Sequence, residues 1–474
     1  MKIALPLYAC ALAMIVATAA NAAPAPSASP SPAATPSMTY GTAPPAPPFS
    51  SMSPHPGASS APQSLSLTDA ENIALAQSPL ITIARAQLDA AGGATGLAHS
   101  GGYPNISVSA DSTRTKASSG LSQGTGATPA PSVGQLTSNS ANANVRQLIF
   151  DGGRLRSQIV SATLNEDAAR YTLARTVQSL FFTIAQDYYA ALQARHALIA
   201  ANDQLNLASV QYNLVNAQFK AGIASKADVL TALFPVAQAR LKVAQQRNGE
   251  QLALTTLLNT MGLPATPTVN LIDDTSTAGG PILSTDQAMA VASVTRPDLL
   301  AAEASAKSAD AAVNAAALAR FPQLSATASD GVSGTAPGFG RNGNSYSYGL
   351  GLTFPLFDGG AIHAQTVSAR AQADIAHANL KTAVLGVGLS VQQAILNLET
   401  ASESVTAANA ELANARTVLD VTNAQYKSGV TTLPLLLNAQ VGLTTAESDQ
   451  ITALYNFKVA QAALQLAEGT ISKP

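Results

Sequence analysis

No tryptophan occurs in these 474 residues, and only 11% of them carry charge. Acidic and basic side chains nearly cancel, leaving a formal net charge of −2 at pH 7. A polyanion such as nucleic acid has no electrostatic reason to bind such a chain. The one cysteine, Cys10, has no second thiol to pair with inside the chain. The five histidines, His55, His99, His196, His363 and His377, are scattered without metal-ligand spacing. Asp and Glu total 27, form no paired constellation, and no nucleophile elbow is present. No catalytic residue, metal or cofactor is called for. Beyond the first segment there is no apolar run of roughly eighteen residues, so no transmembrane helix is expected.

The first segment itself reads as a secretory signal at 1–22. Lys2 supplies the positive start, residues 3–17 are almost wholly apolar, and Ala20-Asn21-Ala22 places small residues at cleavage spacing. Leu7-Tyr8-Ala9-Cys10 is a faint lipobox, set too early within the apolar run. Residues 23–63 are rich in Pro, Ser and Ala and short of large apolar side chains, so they are expected to be a disordered tether. An exported chain without a membrane helix is periplasmic, secreted, or a membrane β-barrel.

What the chain has in abundance is itself, twice. "LIFDGGRL" at 148–155 returns as "PLFDGGAI" at 355–362, and "AQFKAG" at 217–222 returns as "AQYKSG" at 424–429. From Phe150 to Gly262 the match holds without a gap 207 positions on. Upstream the offset becomes 218, pairing Leu65 with Leu283, Pro79 with Pro297 and Pro104 with Pro322. One loop between Pro104 and Phe150 is therefore longer in the first copy. The first repeat is expected at 64–283 and the second at 284–474.

Each copy reads in one order. A helical stretch, broken at Ser78-Pro79 or Arg296-Pro297, leads to short alternating runs. "NISVSA" sets Ile106, Val108 and Ala110 against serines, and "LSATAS" from Leu324 does the same. In "SYSYGLGLTFPLF", Tyr346, Tyr348, Leu350, Leu352, Phe354 and Leu356 alternate with Ser, Gly and Thr. Its counterpart at 138–150 alternates less cleanly, with Gln147 and Leu148 out of step. The expected hairpins span 103–150 and 321–357, with exposed loops at 118–137 and 335–344. Such strands suit either a small periplasmic hairpin pair or a membrane barrel, apolar side outward.

After each Phe-Asp-Gly-Gly a proline-free helical run follows, 151–221 and 358–428. At ~1.5 Å per residue each spans about 106 Å, too long for the core of a compact domain. Leu207, Val210, Leu214 and Ala217 are read as its seam in the first copy, and Leu412, Ala415, Leu419 and Thr422 in the second. Shorter helices, 222–262 and 429–469, bring the chain back, and 263–283 joins the copies. The reversals fall at Ala221-Gly222 and Ser428-Gly429, where glycine permits the left-handed backbone a helix reversal needs.

In their order, spacing and duplication these residues resemble the outer-membrane efflux protein (TolC-like) family over roughly 64–470. The resemblance covers "LSLTDAENIALAQSPL", both Phe-Asp-Gly-Gly junctions, "QFKAGIASKADVL" and "QYKSGVTTLPLLL". It implies an α+β membrane protein: a homotrimer closing a 12-stranded outer-membrane β-barrel, continued by a long periplasmic α-helical barrel. It implies three partners beyond the homotrimer. They are outer-membrane lipid, a periplasmic adaptor (membrane fusion) protein and an inner-membrane pump of RND, ABC or MFS type. The barrel–helix junctions would be Phe150, Asp151, Gly152 and Gly153, and Phe357, Asp358, Gly359 and Gly360. The adaptor-docking tips would be Ala221, Gly222, Ile223 and Ala224, with Ser428, Gly429, Val430 and Thr431. The entrance gate of the family would fall on Asp228 and Tyr426. Thr431 stands where the family has an arginine, and Leu435 and Asn438 stand where it has acidic rings. Without those carboxylates the entrance is expected to be less cation-selective. The rival readings are a duct dedicated to protein secretion, a purely structural periplasmic coiled coil, and a hydrolase carried on a barrel.

Overall fold

The computed structural model describes residues 64–115, 136–264, 269–273, 284–335 and 343–471. The signal segment, the tether and most of both hairpin loops lie outside the described residues. The chain starts with a two-residue strand β1 (Ser64–Leu65), then helices α1 (Leu67–Gln77) and α2 (Pro79–Ser100). Strands β2 (Asn105–Thr115) and β3 (Leu136–Phe150) lead into α3 (Arg154–Lys220), which returns through α4 (Lys226–Thr260). A second two-residue strand, β4 (Asn270–Leu271), separates the copies. The series then recurs as α5 (Thr285–Thr295), α6 (Pro297–Ala317), β5 (Gln323–Thr335), β6 (Asn344–Thr353), α7 (Ala361–Lys427) and α8 (Leu433–Glu468).

Local chemistry sets these ends. Ser66 and Ser284 open α1 and α5 with reciprocal capping boxes, to Asp69 and Gln287. Pro79 and Pro297 start α2 and α6, where a missing N–H costs nothing. Gly262 and Gly469 end the returning helices with φ of 79° and 73°. A Cβ at Gly262 would meet the Gln77 carbonyl at 2.7 Å, and one at Gly469 the Arg296 Cα at 3.0 Å. Each returning helix is thus seated against the proline break of its own copy.

Helices α3 and α7 have 67 residues each, about 100 Å at ~1.5 Å per residue. Around α3 pack α1, α2, α4, α6 and α8, whereas α7 meets α5, α6 and α8. The main core lies midway along α3: Leu180, Phe181, Ile184, Tyr188 and Leu192 pack against Leu65, Ile81, Leu257, Met261, Leu271 and Tyr455. The β1–β4 pairing, parallel with Leu65 beside Leu271, was not legible beforehand. Tyr188 holds it, its hydroxyl donating to the Ile272 carbonyl (2.6 Å) with the Leu65 carbonyl also within reach (2.9 Å). Burial pushes the Tyr188 phenol up to about 12.

The seam differs from the expectation in the first copy. Val210 and Leu214 are exposed, at 60% and 38%, while Ala208, Gln211 and Val215 are buried. In the second copy Thr422 is buried and Leu412, Ala415 and Leu419 are half-buried, as read. Moving those four back by 207 gives Leu205, Ala208, Tyr212 and Val215, the side α3 turns inward. Leu207 and its 3-4-3 spacing had placed the first-copy seam on the wrong face.

Strands β2, β3, β5 and β6 form one antiparallel sheet in that order. Register puts Ile106, Val108, Val145, Ala328, Leu350 and Leu352 on one side, with Ser107, Asn144, Ser329 and Ser347 on the other. Gln147 and Leu148 are indeed reversed between the sides, and a bulge between Leu148 and Phe150 restores the pattern. Strand β6 stops at Thr353, short of the expected Phe357, because Pro355 has no N–H for the ladder. The apolar side is bare: Val108, Tyr348 and Leu352 are 79%, 84% and 68% exposed. Asp330 interrupts that side, opposite Tyr346 and Ala143. Among the described residues, β2 and β6 are free edges of the sheet.

The two Phe-Asp-Gly-Gly turns join sheet to helix by one device. Asp151 accepts the N–H of Gly153 (3.0 Å) and Leu155 (2.6 Å); Asp358 accepts those of Gly360 (2.9 Å) and Ile362 (2.7 Å). Each carboxylate satisfies amides that the first helical turn leaves unpaired. The Ile362 and Gly360 amides hold the Asp358 carboxyl below its ordinary value. Gly152 and Gly359 have φ of 70° and 66°, and Gly153 and Gly360 both 88°. Phe150 and Phe357 remain exposed, at 53% and 92%.

Gly152 bears a second constraint, since a Cβ there would sit 2.5 Å from the Phe321 Cβ, while at Gly153 the nearest atom is 3.9 Å away. Gly153→Ala is expected to cost about 1–2 kcal/mol for its left-handed backbone alone. Gly152→Ala is expected to cost clearly more, read as the midpoints of denaturant unfolding of the two variants in detergent. Equal midpoints would remove the Phe321 contact from the account.

Candidate docking tips and channel entrance

At the far end of α3 the chain reverses through a Schellman turn. Ile223 N–H reaches the Gln218 carbonyl (2.9 Å), and Gly222 N–H reaches that of Phe219 (2.9 Å). The second copy repeats it, Val430 to Gln425 (2.9 Å) and Gly429 to Tyr426 (3.0 Å). Gly222 and Gly429 sit at φ of 75° and 76°, with nothing within 4 Å of either absent Cβ. Glycine is demanded there by backbone conformation and not by crowding.

The turns carry exposed apolar ends. Ile223 and Val430 are 79% and 76% exposed, and Ala221, Gly222, Ser428 and Gly429 are exposed beside them. Ala224 and Thr431 are half-buried. Leu230 and Phe234, on the first turns of α4, extend the exposed apolar surface at 58% and 64%. Motif comparison did not single them out. Their signal was a run of large apolar side chains directly after a tip.

After the turn the copies part. In the first, Ser225 and Asp228 form a capping box: the Asp228 carboxylate accepts the Ser225 N–H (2.9 Å) and hydroxyl (2.7 Å). Ser225 Oγ in return accepts the Asp228 N–H (3.2 Å). These bonds hold the Asp228 carboxyl below its ordinary value. In the second copy Thr432 caps α8 without a side-chain bond, Pro434 follows in the first turn, and Leu435 stands where Asp228 would.

The two tips are packed on one another. Leu433 of α8 is buried with Val215 of α3 and Ala232 of α4, flanked by Tyr212, Ala224, Val229, Tyr426 and Leu437. The 207 offset places Lys226, an exposed cation, opposite Leu433, so this keystone was visible as a broken symmetry between copies. Tyr426 donates its hydroxyl to Gln218 Oε1 at 3.3 Å. Burial raises the Tyr426 phenol, and the nearby Asp228 charge raises it further. The structure therefore brings Asp228 and Tyr426 into one electrostatic neighbourhood. Leu435 is 51% exposed, and Asn438 is also exposed.

The sequence matches the outer membrane efflux protein family over residues 71–263 and 290–470, one block in each copy. The chain belongs to that family. It is accordingly an outer-membrane protein of TolC type, from a family of export channels. Protein CyaE of Bordetella pertussis is 28% identical over 86% of this chain and 85% of its own. Outer membrane efflux protein BepC of Brucella suis is 27% identical over 78% and 80%. The Campylobacter jejuni CmeC outer membrane channel has the same fold, with a TM-score of 0.74 at 17% identity over 85% of each chain. No helix among the described residues is long and apolar enough to cross a membrane.

The capping box gives a local test. Ser225→Ala is expected to speed amide exchange over 226–229 roughly five-fold, as loss of such a cap does, and to leave 433–436 unchanged. Because the Asp228 carboxyl is depressed, its stabilisation is complete above the ordinary aspartate range. It disappears only as pH falls through the lowered value. Protection at 226–229 in the parent chain should therefore outlast, on acidification, that of the Ser225→Ala variant.

Proposed function

We propose that the chain is the outer-membrane exit duct of a tripartite export machine, a small-molecule efflux or type I secretion system. Three copies close their sheets into a 12-stranded barrel in the outer membrane and their helices into a periplasmic tunnel. Members of the family act as trimeric channels with inner-membrane pumps and periplasmic adaptors. One observation carries the reading. A sheet with a bare apolar side is joined, through two Asp-capped turns, to helices about 100 Å long. Lipid is the surrounding that makes the bare side favourable, and the length suits a periplasmic crossing. The duct performs no chemistry of its own; the pump supplies energy and chooses the cargo.

On this reading the exposed turns at Gly222 and Gly429 receive the adaptor, with Ile223 and Val430 as their apolar contacts. Asp228 and Tyr426 stand at the entrance. Asp228 is already committed to Ser225, and Thr431 offers no cation to bind it, so the closed state is held more weakly than an Asp–Arg pair would hold it. Leu435 and Asn438 narrow the entrance without charge, which removes the ring field that would enrich cations.

Two experiments test this. Gly429→Val, which forbids the left-handed turn, is expected to abolish export while the oligomer still inserts; unimpaired export would discard the tip as a docking element. In planar bilayers, Leu435→Asp is expected to move the reversal potential toward the cation equilibrium potential. An unchanged potential would take Leu435 off the conduction path.

A further inference from the structure

We infer that the contact between the two copies inside one chain is the template for the contact between chains. On this template β6 pairs with β2 of a neighbouring subunit in one fixed register: Leu350 opposite Ser112 of the partner subunit. The inference rests on the oligomeric duct reading above and adds to it the residues at the seam.

The duplication supplies the rule. Carried through the strands, the 207 offset aligns β3 with β6, matching Ser138 and Ser140 to Ser345 and Ser347, and the 218 offset aligns β2 with β5, matching Ser107 and Ala110 to Ser325 and Ala328. The structure checks both offsets together. Asn105 pairs with Arg146 in the first hairpin and, under the offsets, Gln323 with Thr353 in the second, which is the observed register. The strands between the copies, β3 and β5, pair Ala141 with Val332, Ala143 with Asp330, and Val145 with Ala328. Carried forward, these become Tyr348 with the partner's Arg114, Leu350 with the partner's Ser112, and Leu352 with the partner's Ala110.

Both free edges then disappear, as a bilayer demands of every backbone N–H and C=O. The sides agree as well: Leu350 and Leu352 fall on the apolar side with Ala110, and Gly349 and Gly351 on the polar side with Thr113 and Asp111. A slip of one residue would exchange the sides along the whole seam. The partner's Arg114 comes beside the Tyr348 ring, a cation–π arrangement, on the same side of the sheet as Asp330.

Two further places obey the rule. Phe321 covers Gly152 within the chain, whereas the space over Gly359 is empty. Shifted by 218, Phe321 becomes Tyr103, an aromatic left 69% exposed; the partner's Tyr103 fills that space. Helix α3 packs on α6 and α8 of the other copy, and α7 lacks both counterparts. It correspondingly exposes Leu385, Leu389 and Leu396, at 67%, 61% and 50%. Their equivalents on α3 are Gln178, which is buried, and Phe182 and Tyr189, which are half-buried.

Oxidative cross-linking of the full chain in outer-membrane preparations tests the register. In a Cys10→Ser background, Ser112→Cys with Leu350→Cys is expected to give covalent dimers and trimers on a non-reducing gel. Thr113→Cys with Gly349→Cys should do so on the polar side. Strands β2 and β6 lie at opposite edges of the sheet, so these bonds form only between chains. Ser112→Cys with Tyr348→Cys or with Leu352→Cys, shifted two residues either way, is expected to cross-link about ten-fold less, because the Cβ atoms are too far apart. A stronger band from a shifted pair overturns the register and leaves the duct standing. No band from any pair, in a chain that still migrates as a heat-sensitive oligomer, overturns the register too. A chain that forms no oligomer at all overturns the duct reading itself.

Discussion

A helix of 67 residues has no interior of its own, and everything else in this structure answers that constraint. Its stability comes from whatever is laid along it. Helix α3 is covered by helices from both copies, and its middle third carries the largest core. Helix α7 has the same length but fewer neighbours, and its Leu385, Leu389 and Leu396 stand in the open. The chain duplicated a unit whose long element needs cover on several sides, and a single chain provides it fully for only one of the two.

Duplication also exposes where the copies have taken separate jobs. The backbone devices are held in common: two Asp-capped glycine turns at the sheet and two Schellman turns at the tips. Side chains diverge on top of them. Ser225 and Asp228 bind each other at the start of α4; Thr432 and Leu435 do not. Lys226 is exposed where Leu433 is buried as the wedge between the two tips. Midway along, Gln178 donates to the Gly469 carbonyl at 2.8 Å, linking the copies, and its counterpart is Leu385. Arg296 is likewise almost fully buried, held by Asp298 at 2.6 Å, where the first copy has Ser78. Burial alone would raise Asp298, but the Arg296 bond and charge, with Arg175 beyond, bring it below its ordinary value.

Most of the architecture was legible because it is written in local chemistry that repeats. Proline breaks and the glycines of four turns marked the element ends to within a few residues. The bulge beside Ile149 was visible as a fault in alternation at Gln147 and Leu148. Two things escaped. The β1–β4 pairing joins residues far apart in the chain through two-residue strands, too short to leave a period. The seam of α3 was misplaced because Ala and Gln occupy buried positions while Val210 and Leu214 do not. In an alanine-rich helix close approach, and not side-chain size, decides which face turns inward. Asp228 and Tyr426, singled out from the sequence, lie near one another, and the structure adds the capping bonds between Asp228 and Ser225.

The tip reversals have a consequence for how such a molecule changes over time. Both bends are secured by main-chain amides and carbonyls plus one glycine each, with Ala221, Ile223, Ser428 and Val430 exposed at the apex. The scaffold is therefore indifferent to what the apex displays. Ile223 can become Val430, or Ala221 become Ser428, without moving the bend. A lineage can change the surface presented there through a handful of substitutions, while the helices behind them, about 100 Å long, stay as they were.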